Sequence, residues 1–160
     1  MDYIKEYERW LSFAGLDERN KAELISTHGN DEEIFSRFYA SLNFGTAGLR
    51  GLMGAGTNRM NIYTVRQASY GFGKYLCTLG EEAKNRGVVI AFDSRNNGVR
   101  FAENAALTLC KLGVRVFVFD SLRPTPELSF AIRELHAVAG INITASHNPK
   151  EYNGYKAYWN

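Results

Sequence analysis

Apolar positions along the chain change period several times, and each change marks an element. Over the first forty residues they recur every three to four positions. Tyr3, Ile4, Tyr7, Trp10, Leu11 and Ala14 form one stripe, the signature of an amphipathic helix. Gly15 ends that helix, and Asp17 is placed to cap the next. Asp31 is placed to cap a third, with Ile34, Phe35, Phe38 and Tyr39 on its inner face. These aromatics are read as packing, not as a cofactor box. Residues 43–61 are rich in glycine and poor in periodicity, which predicts a short strand and a flexible loop. A long helix follows over residues 64–86, on Val65, Ala68, Phe72, Tyr75, Leu76 and Leu79. Gly71 and Gly73 inside it cost about 1 kcal/mol each relative to alanine, which close packing would offset.

Beyond residue 87 the pattern turns into continuous apolar runs. Residues 88–92 and 116–119, and nearly so 137–143, lack polar breaks, as strands covered on both faces do. Helices are predicted between them, over 99–112 ended by Gly113 and over 126–135 with a proline in its first turn. Strand, helix, strand, helix, strand implies right-handed crossovers and parallel pairing. Residues 152–159 alternate after a tight turn, too close to the preceding strand for a crossover, so that strand is antiparallel. The predicted fold is α/β: a three-layer domain with a mixed, mainly parallel four-stranded sheet between helices, its last strand antiparallel. A helical extension over residues 1–40 precedes the α/β domain of residues 41–160.

Composition narrows the partners. A chain of 160 residues fits one domain, and it buries roughly 70% of its unfolded surface. A net charge of +2 leaves no broad nucleic-acid footprint. No apolar stretch reaches the ~20 residues needed to span a bilayer, so no membrane partner is expected. The acidic, helical start has no signal-peptide core, which points to the cytoplasm. Cys77 and Cys110 both fall in helical segments and are read as a buried pair of reduced thiols.

Each apolar strand ends in a polar cluster. Asp93, Ser94 and Arg95 follow Phe92. Asp120, Ser121, Arg123, Pro124, Thr125 and Pro126 follow Phe119. Thr144, Ser146, His147 and Asn148 follow Ile143. Open α/β sheets bind ligands outside the carboxyl ends of their strands. One edge therefore gathers Arg50, Arg95, Arg123, Ser146, His147 and Lys156, an electropositive rim around a serine. Other chemistries fit poorly. Ser146 lacks the Gly-x-Ser-x-Gly elbow of hydrolases, and His147 beside it points elsewhere. Gly71-Phe72-Gly73-Lys74 lacks the preceding strand and the spacing of a phosphate loop. There is no Cys/His cluster for zinc and no paired-carboxylate site to hold magnesium alone. His28 and His136 are read as structural.

The motifs resemble those of the α-D-phosphohexomutase family. Thr144-Ala145-Ser146-His147-Asn148-Pro149 with Asn153-Gly154-Tyr155-Lys156 is similar to its active-site serine loop. Phe44-Gly45-Thr46-Ala47-Gly48-Leu49-Arg50-Gly51 is similar to its first conserved loop. Asp93-Ser94-Arg95 and Pro124-Thr125-Pro126 match in order and spacing. The N-terminal helices and residues 54–61 resemble the phosphoglucomutase branch, which includes phosphopentomutase-like members.

The resemblance implies that Ser146 carries a phosphoryl group. Interconversion of glucose 1-phosphate and glucose 6-phosphate would then run through a bisphosphate. Lys156 matches a general base or charge stabiliser, and Arg50 a contact of the phosphoserine region. His147 and Asn148 shape the loop. Thr46, Arg50, Asn148 and Lys156 are the expected phosphate contacts, with Asp93 and Arg95 in support. A lysine acting as base needs a lowered pKa, and nearby arginine charge favours that. Magnesium (Mg2+) is expected to bind Ser146 through its phosphate, with its other ligands outside this chain. Glucose 1,6-bisphosphate is the implied intermediate and activator, and a sugar phosphate the implied partner. The family's magnesium loop, sugar-specificity loop and distal phosphate clamp lie in later domains, so a first-domain fragment without mutase activity of its own is expected. Phosphopentomutase and phosphomannomutase activities are the alternatives within the family. A non-catalytic module that binds phosphate or a partner is the alternative outside it. Self-association is then expected through apolar surface around Tyr155, Tyr158 and Trp159.

Overall fold

In the computed structural model, which describes residues 2–46 and 48–160, side chains start the three N-terminal helices. Ala47 of the first glycine-rich motif and Met1 lie outside the described residues. Asp2, Asp17 and Asn30 each accept a backbone N–H and cap α1 (Tyr3–Leu11), α2 (Glu18–Ser26) and α3 (Asp31–Phe38). The third cap is thus Asn30; Asp31 is the first helical residue, where its charge still favours the helix N-terminus. Tyr7, Trp10, Leu24, Ile34 and Phe38 form the shared core of these helices. Tyr7 and Trp10 meet Phe38 edge-on, with centroids 5.8 and 5.7 Å apart. Phe35 and Tyr39 are not on the inner face. They stack on each other at 5.2 Å and remain largely exposed.

After β1 (Leu49–Leu52), a capping box between Asn61 and Thr64 opens α4 (Ile62–Thr78). The single helix predicted over 64–86 is two helices. Gly80 adopts φ 92°, a backbone state cheap only for glycine, and the chain restarts as α5 (Glu81–Arg86). Then come β2 (Val88–Phe92), α6 (Gly98–Lys111), β3 (Val116–Val118), α7 (Thr125–Glu134), β4 (Ala139–Ile143) and β5 (Tyr152–Trp159).

The sheet has five strands, in the order β1-β5-β4-β2-β3. The fifth strand is β1, drawn from the glycine-rich segment and paired along β5. β2 runs parallel to both β3 and β4, whereas β5 is antiparallel to β4 and to β1. Every residue of β2 and β4 is buried. β3 departs from the expectation of a strand covered on both faces. It is a three-residue edge with Val118 43% exposed, because an edge position leaves one flank to solvent.

Helices α4 and α6 cover one face, around Leu76, Ile90, Phe101, Leu109, Ile141 and Tyr155. Helix α7 covers the other, around Val89, Ala91, Leu128 and Ile132. Gly73 serves this packing: a Cβ there would lie 2.6 Å from Leu112 Cδ1, so a larger residue would make that leucine shift. Gly71 faces open space and has no such reason.

The thiols are free, but they are not a buried pair: Cys77 is half-buried and Cys110 exposed. Tyr155 is also not surface. It is fully buried, and its hydroxyl meets Ser69 Oγ at 3.3 Å. Burial pushes that phenol up, out of the usual tyrosine range. Trp159 is exposed, tilted against Tyr75 at 5.7 Å. Among the described residues, no helix is long and apolar enough to cross a membrane.

Candidate active site

The chain leaves the buried end of β4 through Thr144, whose hydroxyl donates to Asp93 Oδ2 at 2.5 Å and accepts the Ser146 N–H at 3.0 Å. Ser146 then turns with φ 59°, in the left-handed region, and stands exposed. An L-residue in this conformation needs its surroundings to hold it. Arg95 supplies that hold. Its Nη2 donates to the carbonyls of Ser146 and Asn148 at 2.8 and 2.7 Å. Its Nη1 donates to those of Pro149 and Tyr152 at 2.8 and 2.9 Å. Asp93 fixes Arg95 in turn, accepting its backbone N–H at 3.0 Å and lying 3.5 Å from its Nε. Buried Asn153 ties the start of β5 to the same segment, donating to Asn96 O at 3.0 Å.

β1, β5 and β4 then set the cations. Arg50 pairs with Gly154 and Lys156 pairs with Asn142, while Thr144 N–H donates to Gly154 O. Side chains two apart on a strand share a face, and directly paired residues share it too. Arg50, Thr144, Asn142 and Lys156 therefore project on one side of the sheet, beside the serine turn. Gly154 must be glycine for this crossing: a Cβ would lie 2.5 Å from Thr144 O and 2.7 Å from Leu49 O. Arg50 Nη1 reaches Asn148 Oδ1 at a long 3.4 Å. Burial lowers the Lys156 pKa, and the Arg50 charge lowers it further, with Asp93 opposing.

The predicted rim of cations thus divides into two groups. Arg95 is committed to the loop backbone. Arg123 is committed to its own turn, meeting Glu127 Oε2 at 3.1 Å and Ser121 Oγ at 2.5 Å. Arg50 and Lys156 remain to face a ligand. His147 is exposed at the tip of the serine turn, and Thr46 is exposed on the segment before β1. Two residues named in the sequence motifs without a role, Thr144 and Asn153, and one not singled out, Asn142, prove to matter. Thr144 and Asn153 hold the loop. Asn142, 2% exposed, donates to Thr125 Oγ1 at 2.8 Å, and its Oδ1 is a buried side-chain acceptor without a partner. The adjacency of Thr144 to Ser146 and of Asn153 to Gly154 was the available signal. A polar residue inside an apolar run was the signal for Asn142.

By themselves the described residues do not complete a magnesium site. Asp93, the carboxylate bound into the serine loop, is held by Thr144 and Arg95. Among the described residues no three His, Cys, Asp or Glu side chains cluster for a metal ion. These residues offer an anion cradle instead.

Fold and site together define an α/β/α domain that presents one exposed serine at the carboxyl edge of its sheet, in a turn that Arg50 touches at Asn148. The family described as "Phosphoglucomutase/phosphomannomutase, alpha/beta/alpha domain I" matches residues 41–160. The chain belongs to this phosphohexomutase family. It is 47% identical over 143 residues to a phosphoglucomutase of Staphylococcus epidermidis, covering 89% of this chain and 26% of that protein. It is 46% identical over 141 residues to a human phosphopentomutase, covering 84% of this chain and 23% of that protein. A solved phosphoglucomutase/phosphomannomutase family protein from Burkholderia thailandensis superposes with a TM-score of 0.62 at 28% identity, covering 72% of this chain and 25% of that one. The chain spans about a quarter of the length of these relatives.

Proposed function

We propose that this chain is the phosphoryl-carrying domain of a phosphoglucomutase, with Ser146 as the carrier. One observation supports this most directly. The serine stands exposed in a turn whose backbone is clamped through Arg95, and Arg50 and Lys156, the two cations of the rim without an ion-pair partner among the described residues, project from the neighbouring strands, Arg50 touching the turn at Asn148. A phosphoserine carries about −1.5 to −2 charge near neutrality, which Arg50 can bind with its fork of donors. Transfer passes through a loose transition state, so positioning and charge neutralisation are what the protein must supply.

In the forward step a hydroxyl of glucose 1-phosphate attacks the phosphorus on Ser146. The new P–O bond forms as the bond to Ser146 Oγ breaks. The attacking hydroxyl gives its proton to the neutral amine of Lys156, and Ser146 Oγ, exposed to solvent, takes a proton from water as it leaves, the Lys156 ammonium releasing its own to solvent in exchange. The lowered Lys156 pKa increases the neutral fraction available for this. The bisphosphate then returns its other phosphoryl group to Ser146 by the reverse chemistry, leaving glucose 6-phosphate. A pentose phosphate as substrate is the second reading. It is favoured by relatives named phosphopentomutase at the same level of identity.

The test is peptide mass mapping after incubation with glucose 1,6-bisphosphate. One phosphoryl group is expected on Ser146 and none on the Ser146→Ala variant. A chain that never carries phosphate at Ser146 overturns the proposal.

A further inference from the structure

A concave site borders the segment that follows the serine turn. It is a cleft of about 600 Å3 between α2, the turn after β1, the starts of α4 and α6, and the segment that follows the serine loop. That volume falls in the range of small-molecule sites, roughly 300–1,000 Å3. Three cations from three separate elements line it: Arg19 on α2, Arg100 on α6, and Lys150 just past Pro149. Arg19 is held by an amide, Asn97 Oδ1 at 3.2 Å, not by a carboxylate. Arg100 is anchored by Asp17 at 3.5 Å. Two carboxylates also border the cleft, Glu23 and Glu151. With Glu23 engaged by Arg37 at 2.5 Å and Arg100 by Asp17, Arg19 and Lys150 stand against Glu151, which leaves a net positive charge. Met53 is the half-buried apolar residue of the lining, whereas Met60, Ile62 and Phe101 behind it are buried in the core.

The cleft is built at a seam. Arg19 lies in the helical part that precedes the family match, whereas Arg100 and Lys150 lie within residues 41–160. Its walls also touch the serine loop's supports. Asn96 and Asn97 follow Arg95 directly, and Glu151 O accepts the Met53 N–H at 2.9 Å. The Asn97 side chain binds Arg19 and Met53 Sδ and leaves the start of α6 without a side-chain cap.

We propose that this cleft binds a small phosphate monoester. The phosphate meets Arg19, Arg100 and Lys150, and the carbon body lies against Met53. Guanidinium groups suit phosphate because their paired donors match its oxygens. The site is separate from Ser146 and does not depend on that residue being phosphorylated.

Amide NMR titration of the chain with glucose 6-phosphate, with inorganic phosphate, and with sodium chloride at matched ionic strength tests it. Saturable shifts are expected at Arg19, Asn97 to Arg100 and Lys150, with inorganic phosphate weaker than the sugar phosphate. Arg19→Ala and Lys150→Ala, both at exposed positions, should each weaken binding by about tenfold. Ser146→Ala and Arg50→Ala should leave these shifts intact, which separates this site from the carrier serine. Shifts confined to residues 144–148, or equal shifts with sodium chloride, overturn the proposal. Inorganic phosphate binding as tightly as the sugar phosphate overturns the ester assignment.

Discussion

Replacing Arg95 by alanine removes the largest set of contacts that any one side chain makes to the serine turn. The guanidinium is only 13% exposed and donates to four carbonyls between 2.7 and 2.9 Å. The Ser146 and Pro149 carbonyl bonds lie at the exposed surface, so water replaces the lost donor there. Those to Asn148 and Tyr152 are partly buried. A hydrogen bond from a charged donor is worth about 1.5–3 kcal/mol net, and water entering the vacated space returns part of it. The expected loss is therefore about 2–4 kcal/mol. Urea unfolding should show a lower midpoint at unchanged slope. Hydrogen exchange should quicken across residues 144–152 before it quickens in β2. Arg95→Lys should recover less than half of the loss, because one ammonium cannot span four carbonyls set around a planar fork. A loss below about 0.5 kcal/mol with unchanged loop exchange would refute the assignment, as would full rescue by lysine.

Gly154→Ala should cost at least about 1–3 kcal/mol in urea unfolding, since the new Cβ meets two backbone oxygens that cannot step aside. A neutral result would mean that the β1–β5–β4 crossing is looser than described. Burial first and then Arg50 hold the folded-state pKa of Lys156 below its reference value of 10.5. The unfolded chain therefore binds more protons in the interval between, and stability rises as pH climbs through it. Lys156→Met should be more stable than the parent at neutral pH, and that advantage should vanish above pH 10.5. Melting curves at both ends decide it, and an advantage that grows with pH contradicts the sign. Acetylation followed by peptide mapping should find Lys156 less reactive, at mildly alkaline pH, in Arg50→Ala than in the parent. Unchanged reactivity would remove Arg50 from the Lys156 environment. Asn142→Val deletes a buried acceptor that lacks a partner, and the exposed Thr125 hydroxyl can turn to water. Thermal unfolding should show a change between zero and a gain of about 1 kcal/mol, whereas a loss above about 1 kcal/mol would reveal a partner for that oxygen.

Local pattern made much of the fold legible and left its edges hidden. β2 and β4 announce themselves because a strand covered on both faces has no polar position to offer, and VVIAF and AGINI come close to that. β3 looks the same in sequence, yet it is a half-exposed edge. Strand order is decided by how crossovers pack, which no single run encodes. β1 was legible as a short strand but not as a partner of β5. Its four residues join the sheet only because Gly48 and Gly154 let two backbones meet, and that is a relation between segments more than a hundred residues apart. The break at Gly80 was invisible for the opposite reason: Leu76, Leu79 and Ala83 continue the helical spacing straight through it.

At the site, the serine, its turn and the set of nearby cations were all readable, whereas the division of roles among those cations was not. Charge can be counted along a chain, but commitment depends on partners. Arg95 faces four carbonyl oxygens whose partial negative charges offset its own field. Arg123 faces Asp120 and Glu127. Arg50 has one long contact to a neutral amide, and Lys156 is less solvated than a surface lysine. The charge of the rim left without an anionic partner among the described residues is therefore that of Arg50 and Lys156, on neighbouring strands and the same face of the sheet. Their placement needs β1 beside β5, so the glycine that permits that pairing is as much a condition of the anion cradle as the cations themselves.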